Sequence, residues 1–361
     1  MKKRKFIKIM YVVTPVMLVL LLALNVFTLA KVWALEADAN GETEDVAQED
    51  DVVIGEEYTI KSTKQISDAY KSGDSSKLSE RDEETLDMAK AILDKIITKD
   101  MSDYEKELAV YDWMTANLSF DDGSMEVVPD TDTECDNPYG VLKYHNAVCV
   151  GYATTFRMFM QMMDIDCMVV HDSYLSHSWN LVKLDGHWYH TDIFSDTPGG
   201  NHSHFNINDD VMTDMQEWNT DFFPAADGYE YNYAYINRAQ CKDVYSIPAL
   251  VRSAIDSKSS LVSLDFGKNI SENTYDTAED IMSEIEDRVM FGGNGGISMS
   301  WYWLDAGDDR VFCVYISYED DAEDPDDDTD DPDENQQKIN DAVDKAFGDF
   351  GSGNSKIVGI E

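Results

Sequence analysis

Three features of the 361-residue chain predict an α+β fold. The first folded stretch carries apolar residues at helical spacing. Two strand-like segments then meet at Asp185-Gly186, and a strand, helix, strand, strand order runs from about Ser260 to Tyr318. Helices followed by antiparallel strands are the pattern of α+β rather than of a parallel α/β sheet.

The helical stretch opens with Ser79 and Asp82 in a capping-box pattern, followed by Leu86, Ala89, Leu93 and Ile96. A second box, Ser102 with Glu105, starts a helix carrying Leu108, Tyr111, Met114 and Leu118. Both stripes read as core faces. A loop rich in Asp, Pro and Gly runs to Gly140. A short helix begins near Cys149, with Tyr152, Phe156, Phe159 and Met163 as its buried stripe. From Cys167 to His171 a short apolar run marks a strand. His177 to Leu184 and His187 to Ile193 are two more, joined by a two-residue Asp-Gly loop that signals a type I′ hairpin.

A small C-terminal βαββ unit comes next. Val262, Leu264 and Phe266 alternate as a strand, and Thr277 with Asp280 is read as capping a helix bearing Ile281, Ile285 and Val289. Ile297, Met299, Trp301 and Trp303 alternate again, as do Val311, Cys313 and Tyr315. The glycines between Gly292 and Gly296 come after a helix, whereas a phosphate-cradling loop precedes one, so they read as a helix stop and turn.

At the N-terminus, Lys2, Lys3, Arg4, Lys5 and Lys8 precede an uncharged run of 22 residues, Ile9 to Ala30. That length spans a bilayer as a helix, and the basic cluster places the rest of the chain outside. The expectation is an N-terminal transmembrane or signal segment. Retention as an anchor is favoured by length, and cleavage near Val32-Trp33-Ala34 is the alternative. The body is exported either way. Asp and Glu number 72 against 28 Lys and Arg, a formal net charge of -44. That excess excludes nucleic acid as a partner, because phosphate binding requires a basic face. Five cysteines are present: Cys135, Cys149, Cys167, Cys241 and Cys313. With Cys149 reserved for chemistry, the other four allow three disulfide pairings or none.

A thiol nucleophile needs a base in contact and a group that fixes the base. Cys149 sits at a helix start, where the local dipole favours a thiolate. Gly151, just inside that helix, implies a close approach of backbone. The hairpin supplies the other two groups. If Leu184 pairs with His187, paired residue numbers sum to 371, and His177 and Asp192 emerge on one sheet face as diagonal neighbours. A carboxylate beside a histidine fixes the imidazole tautomer and stabilises its protonated form. A structural His-Asp pair on a half-buried sheet is the plain alternative.

The order Cys149-Val150-Gly151-Tyr152-Ala153, His177-Ser178-Trp179-Asn180 and Trp188-Tyr189-His190-Thr191-Asp192 resembles a bacterial transglutaminase-like domain. The helical lead-in and the Phe205-Asn206-Ile207-Asn208-Asp209 stretch are similar to it too, so the resemblance covers roughly Arg81 to Asn219. It implies a papain-like core, helices packed on an antiparallel sheet, with Cys149 as nucleophile, His177 as base and Asp192 as orienter. Relatives of this kind are acyl-transferring cross-linkers, cysteine peptidases or amidases, and sometimes inactive scaffolds. Here Ala147 stands where many relatives carry Gly. The Cys149 backbone N–H is one oxyanion donor, and Tyr139 and His145 are candidates for another. Trp179 and Tyr152 are candidates for the wall of a substrate groove.

The domains expected are residues 1–34 as anchor or signal, 35–57 as an acidic stalk and 58–245 as the transglutaminase-like domain. Residues 258–318 form the small α/β unit, 319–335 an acidic linker, and 336–361 a helix and strand that echo the unit before them. Of the 16 residues from Glu319 to Glu334, 12 are acidic, which drives extension. No cofactor is expected. His187, His190, His202 and His204 lack a metal-site frame, and Asp326 to Glu334 lacks the glycine of a calcium loop. The expected partners are protein or peptide substrates at the cell surface or cell wall, with the membrane reached through the N-terminal helix. The rival expectation is a surface-displayed binding module that retains the fold without catalysis.

Overall fold

The computed structural model describes residues 52–54, 58–120, 134–174, 176–197, 200–268, 270–291 and 296–318. The N-terminal segment 1–34, most of the stalk, the acidic linker 319–335 and the stretch 336–361 lie outside the described residues. Among the described residues no helix is long and apolar enough to cross a membrane.

Strands β1 (Val52–Ile54) and β2 (Tyr58–Ile60) pair antiparallel. Helix α1 (Lys64–Ser72) comes next, then α2 (Glu80–Ile96) and α3 (Asp103–Asn117). Both predicted caps hold. Ser79 accepts from the Asp82 N–H, and Ser102 forms a reciprocal box with Glu105. Each satisfies backbone donors that a helix start leaves unpaired. The buried faces are Leu86, Ala89 and Leu93 on α2, and Val110, Tyr111 and Met114 on α3.

A two-residue strand β3 (Ser119–Phe120) runs parallel to β4 (Asn146–Ala147), with α4 (Pro138–Tyr144) before β4. Helix α5 (Cys149–Met162) starts directly beyond β4. It differs from the amphipathic stripe expected of it, because all but one of its residues are buried. It is the central helix, covered on every side, and burying side chains such as Phe156 and Phe159 contributes about 1.5–3 kcal/mol each.

Strands β5 (Cys167–His171), β6 (Ser178–Leu184) and β7 (His187–Thr191) form an antiparallel sheet in the order β5-β6-β7. The pairing is Leu184 with His187, Lys183 with Trp188 and Asn180 with Thr191, the predicted register. Asp185 and Gly186 both have positive φ, 48° and 88°, as a type I′ turn requires. The strands stop one residue short of His177 and Asp192, because Asp192 caps the short helix α6 (Ile193–Asp196). Beyond it come α7 (Asp209–Thr213) and α8 (Tyr233–Ile236). The alternating tyrosines between Tyr229 and Tyr235 form a packed loop and the turn of α8 rather than a strand. Their rings are packed in place: Tyr231 stacks on Tyr104 and meets Tyr189 edge-on, and Tyr233 stacks on His202.

The C-terminal part is a four-stranded sheet with the order β10-β11-β9-β8. Its strands are β8 (Ala239–Gln240), β9 (Leu261–Asp265), β10 (Ile297–Ala306) and β11 (Asp309–Tyr318). Helices α9 (Ile247–Asp256) and α10 (Glu272–Phe291) cover one face through Val251, Ile281, Ile285, Phe312 and Val314. The other face brings Leu304, Val311, Cys313 and Tyr315 against Met168, Val170, Trp179 and Leu181 of the β5-β6-β7 sheet. The expected βαββ order is present. Thr277, however, lies inside α10 rather than at its start. Its hydroxyl donates back to the Asn273 carbonyl one turn earlier, which a threonine within a helix does readily.

Candidate functional site

The start of α5 is fixed from two sides. On one, the Val148 N–H donates to the Cys135 carbonyl at 3.1 Å. A side chain at position 151 would bring Cβ to 2.0 Å from that same carbonyl oxygen, so Gly151 is required for the approach. On the other, the Asn180 amide on β6 donates to the Ala153 carbonyl at 3.0 Å and to the Met168 carbonyl at 3.1 Å. This tie holds the cysteine helix against the hairpin that carries His177 and Asp192. Cys149 is 2 % exposed, in an apolar cluster with Ile60, Val148, Val150, Ala153 and Val169.

His177 lies at the end of a tight loop closed by Asp172. One Asp172 oxygen accepts the Ser176 N–H at 2.6 Å and the His177 N–H at 3.0 Å, and the other accepts the Ser176 hydroxyl at 2.6 Å. The His177 ring is sandwiched between Trp179 (centroids 5.8 Å apart) and Phe194 (5.6 Å). Its Nε2 meets Asp192 Oδ2 at 2.6 Å. Cys149 is near enough to act on the same ring and helps to raise it. Since Nε2 is engaged by Asp192, Nδ1 is the nitrogen available to the thiol. Asp192, 2 % exposed, also accepts from the N–H and hydroxyl of Ser195 at 3.2 and 2.7 Å.

The electrostatics arise from this packing. Burial disfavours the charged form of His177. The Asp192 charge and bond, helped by Cys149, outweigh it, and the imidazole is raised well above its ordinary value. Burial likewise opposes charge on Asp192, but His177 and then His204 hold it below the usual carboxylate range. The pair therefore stabilises the imidazolium that forms when His177 takes up the thiol proton.

Residues that sequence reasoning singled out as groove walls have other roles. Trp179 is 1 % exposed and donates its Nε1–H to His190 Nδ1 at 2.9 Å; His190 Nε2 in turn meets Asp209 at 2.9 Å. Trp179 is thus a rigid backing for His177. Tyr152 is also 1 % exposed, with Phe120 and Phe194 against its ring. The partly exposed aromatic beside the site is Phe194. The oxyanion candidates point elsewhere. Tyr139 donates to Glu84 and accepts from Lys143, and His145 Nδ1 faces the Asn117 carbonyl at 3.1 Å. Tyr139 lines a polar cleft of about 1010 Å³ together with Lys61, Arg81, Asp136 and Thr154, and no member of the Cys149-His177-Asp192 set belongs to its walls. The first-turn N–H of Cys149 has no acceptor within its helix and remains a donor.

Each of the four histidines set aside as metal ligands has its own carboxylate. His187 pairs with Asp227, His190 with Asp209, His202 with Asp112 and His204 with Asp196. Among the described residues no cluster of three or more ligating side chains forms. Among the described residues, which include all five cysteines, no disulfide forms. Sequence reasoning missed Asp172, Asp196 and His204. Asp172 had a local signal: an aspartate four residues before Ser176 is placed to close a loop onto its own backbone. Asp196 and His204 meet only through tertiary folding.

Residues 90–193 match the model of the transglutaminase-like superfamily, a range that contains Cys149, His177 and Asp192. The chain therefore carries a transglutaminase-like domain with an α+β fold. Among solved structures, a Cytophaga hutchinsonii protein provisionally named a cysteine protease is similar, at 16% identity and a TM-score of 0.25, over 32% of this chain and 39% of that one. A structure described as a TGase is similar at 14% identity and a TM-score of 0.28, over 48% of this chain and 44% of that one. The chain thus spans less than half the length of either. No curated protein matches it by sequence.

Proposed function

We propose that the chain is an exported thiol enzyme that acts on peptide or carboxamide bonds through Cys149, His177 and Asp192. The observation that carries this reading is the 2.6 Å bond from His177 Nε2 to Asp192, on a ring that Cys149, at a helix start, helps to raise. His177 takes the thiol proton, and the sulfur attacks the carbonyl carbon. The tetrahedral oxyanion is met by the Cys149 N–H. His177 then passes its proton to the departing amine or ammonia, leaving a thioester on Cys149. Water resolves the thioester in a hydrolase, and an amine does so in an acyl transferase. In either case His177 accepts a proton from the incoming nucleophile and returns it to sulfur. The basic cluster and 22-residue apolar run at the N-terminus support anchoring in the cell membrane with the enzyme outside, where surface and cell-wall peptides are the substrates. Trapping the acyl group on Cys149 after incubation with glutamine- and asparagine-containing peptides, read by mass spectrometry, tests the reading. A thioester adduct on wild type that Cys149→Ala lacks is expected. A catalytically competent preparation with no adduct and no Cys149-dependent turnover would overturn it.

A further inference from the structure

A second buried His-Asp pair stands beside Asp192 with no part in the chemistry described above. Asp196, 2 % exposed at the end of α6, collects three side-chain partners: the Tyr111 hydroxyl from α3, the Ser203 hydroxyl at 2.6 Å and His204 Nδ1 at 2.8 Å. The His204 N–H donates to the other Asp196 oxygen at 2.9 Å, so the pair is held at backbone and ring alike. The connection to the thiol site is direct, since the Asp192 N–H donates to the His204 carbonyl at 3.0 Å. The loop that carries His204 is firmly placed. Asn201 bonds Ser317 on β11 at 2.8 Å, and His202 lies between the rings of Tyr111 and Tyr233 and pairs with Asp112.

We infer that His204, held by Asp196, is a positioning residue of the thiol site, whose backbone fixes Asp192 and whose charge keeps Asp192 ionised. This rests on the reading of Cys149 as an active thiol. The groups facing His204 are Asp196 on α6, Asp192 and His177 at the hairpin ends, and Tyr111 on α3 across Asp196; the Asp112 charge is engaged by His202. Burial opposes the His204 charge, and Asp196 and then Asp192 restore it, so the ring is raised above its ordinary value. With 22% of its side chain exposed, it still exchanges protons with solvent. In the acid range His204 is an imidazolium. It then adds a second positive charge, after His177, to those that hold Asp192 as a carboxylate.

The consequence is a shift in pH dependence rather than only a loss of rate. In His204→Gln the acid limb of Cys149 alkylation by iodoacetamide moves to higher pH by about half a unit to one unit. His204→Lys, which keeps a cation, moves it back toward the wild-type position. Tyr111→Phe leaves it in place, because that hydroxyl carries no charge in this range. The measurement is the alkylation rate of the full chain between pH 3 and 9, with circular dichroism to establish that each variant is folded. A limb in folded His204→Gln that coincides with wild type, or a His204→Lys limb displaced as far as that of His204→Gln, overturns the inference while leaving the thiol reading intact. A wild-type Cys149 limb at about pH 8.5, where an ordinary thiol has it, overturns both.

Discussion

Replacing Gly151 by alanine sets two opposite effects against each other. Helix propensity alone favours alanine by about 1 kcal/mol. The packing opposes it, because the new Cβ would sit 2.0 Å from the Cys135 carbonyl oxygen and 3.0 Å from both its carbon and Val141 Cγ2. Relief requires a backbone movement of about 1 Å, and overpacking of this kind costs about 1–3 kcal/mol. The displaced carbonyl also accepts the Val148 N–H at 3.1 Å, worth about 1 kcal/mol more. The net expectation for Gly151→Ala is a loss of about 2 kcal/mol in denaturant unfolding. A fall in Cys149 alkylation rate accompanies it, since the helix start moves away from His177. A variant as stable as wild type, or more stable by the propensity difference, would refute the close-approach argument.

Asp192→Asn should leave the fold intact and reduce turnover by on the order of ten thousand-fold, because the amide no longer fixes the imidazole tautomer; steady-state kinetics on any substrate found for the enzyme checks this. Burial raises Glu107 to about 8, against hydrogen bonds from Asn206 and Thr191 that lower it. Since the folded form holds that proton more tightly than the unfolded chain, stability falls as pH rises from about 4.5 to 8. Glu107→Gln should flatten that slope in urea unfolding at several pH values. The His177 contribution to stability has the opposite origin: its raised value means that it is fully present below about 6.5 and lost as pH rises through the folded value. The Asp192 contribution is present above the ordinary carboxylate value and lost as pH falls through its lowered one. His177→Gln should remove the alkaline loss and most of the acid one, since the same pair carries both. Finally, thiol titration of unreduced, denatured protein should find five thiols.

What was legible in the sequence was set by short-range rules. Asp185-Gly186 admits one hairpin, and the hairpin dictates the register, so the His177-Asp192 contact came from counting. The caps at Ser79 and Ser102 are equally local. The steric demand at Gly151 was legible as a cost in helix propensity, although its partner, the Cys135 carbonyl, was not. What escaped depends on groups far apart in the chain. Nothing near Trp179 announces that Leu304 and Val311 close over it, which turns a groove-wall candidate into core. One signal was present: Val311 to Ile316 is apolar at every position, as a strand buried on both faces should be. Thr277 misled because a threonine three residues before an aspartate marks a helix start only when nothing helical precedes it.

The central claim is that Cys149 is chemically activated, and its reactivity relative to Cys241 in the same molecule measures that. Cys149 is 2 % exposed, whereas Cys241 is only half-buried, so accessibility alone makes Cys241 the faster thiol. With limiting iodoacetamide near neutral pH and peptide-level mass spectrometry, the account predicts that Cys149 is modified first and that His177→Gln reverses the order. Modification of Cys241 ahead of Cys149 in the wild-type chain would contradict it.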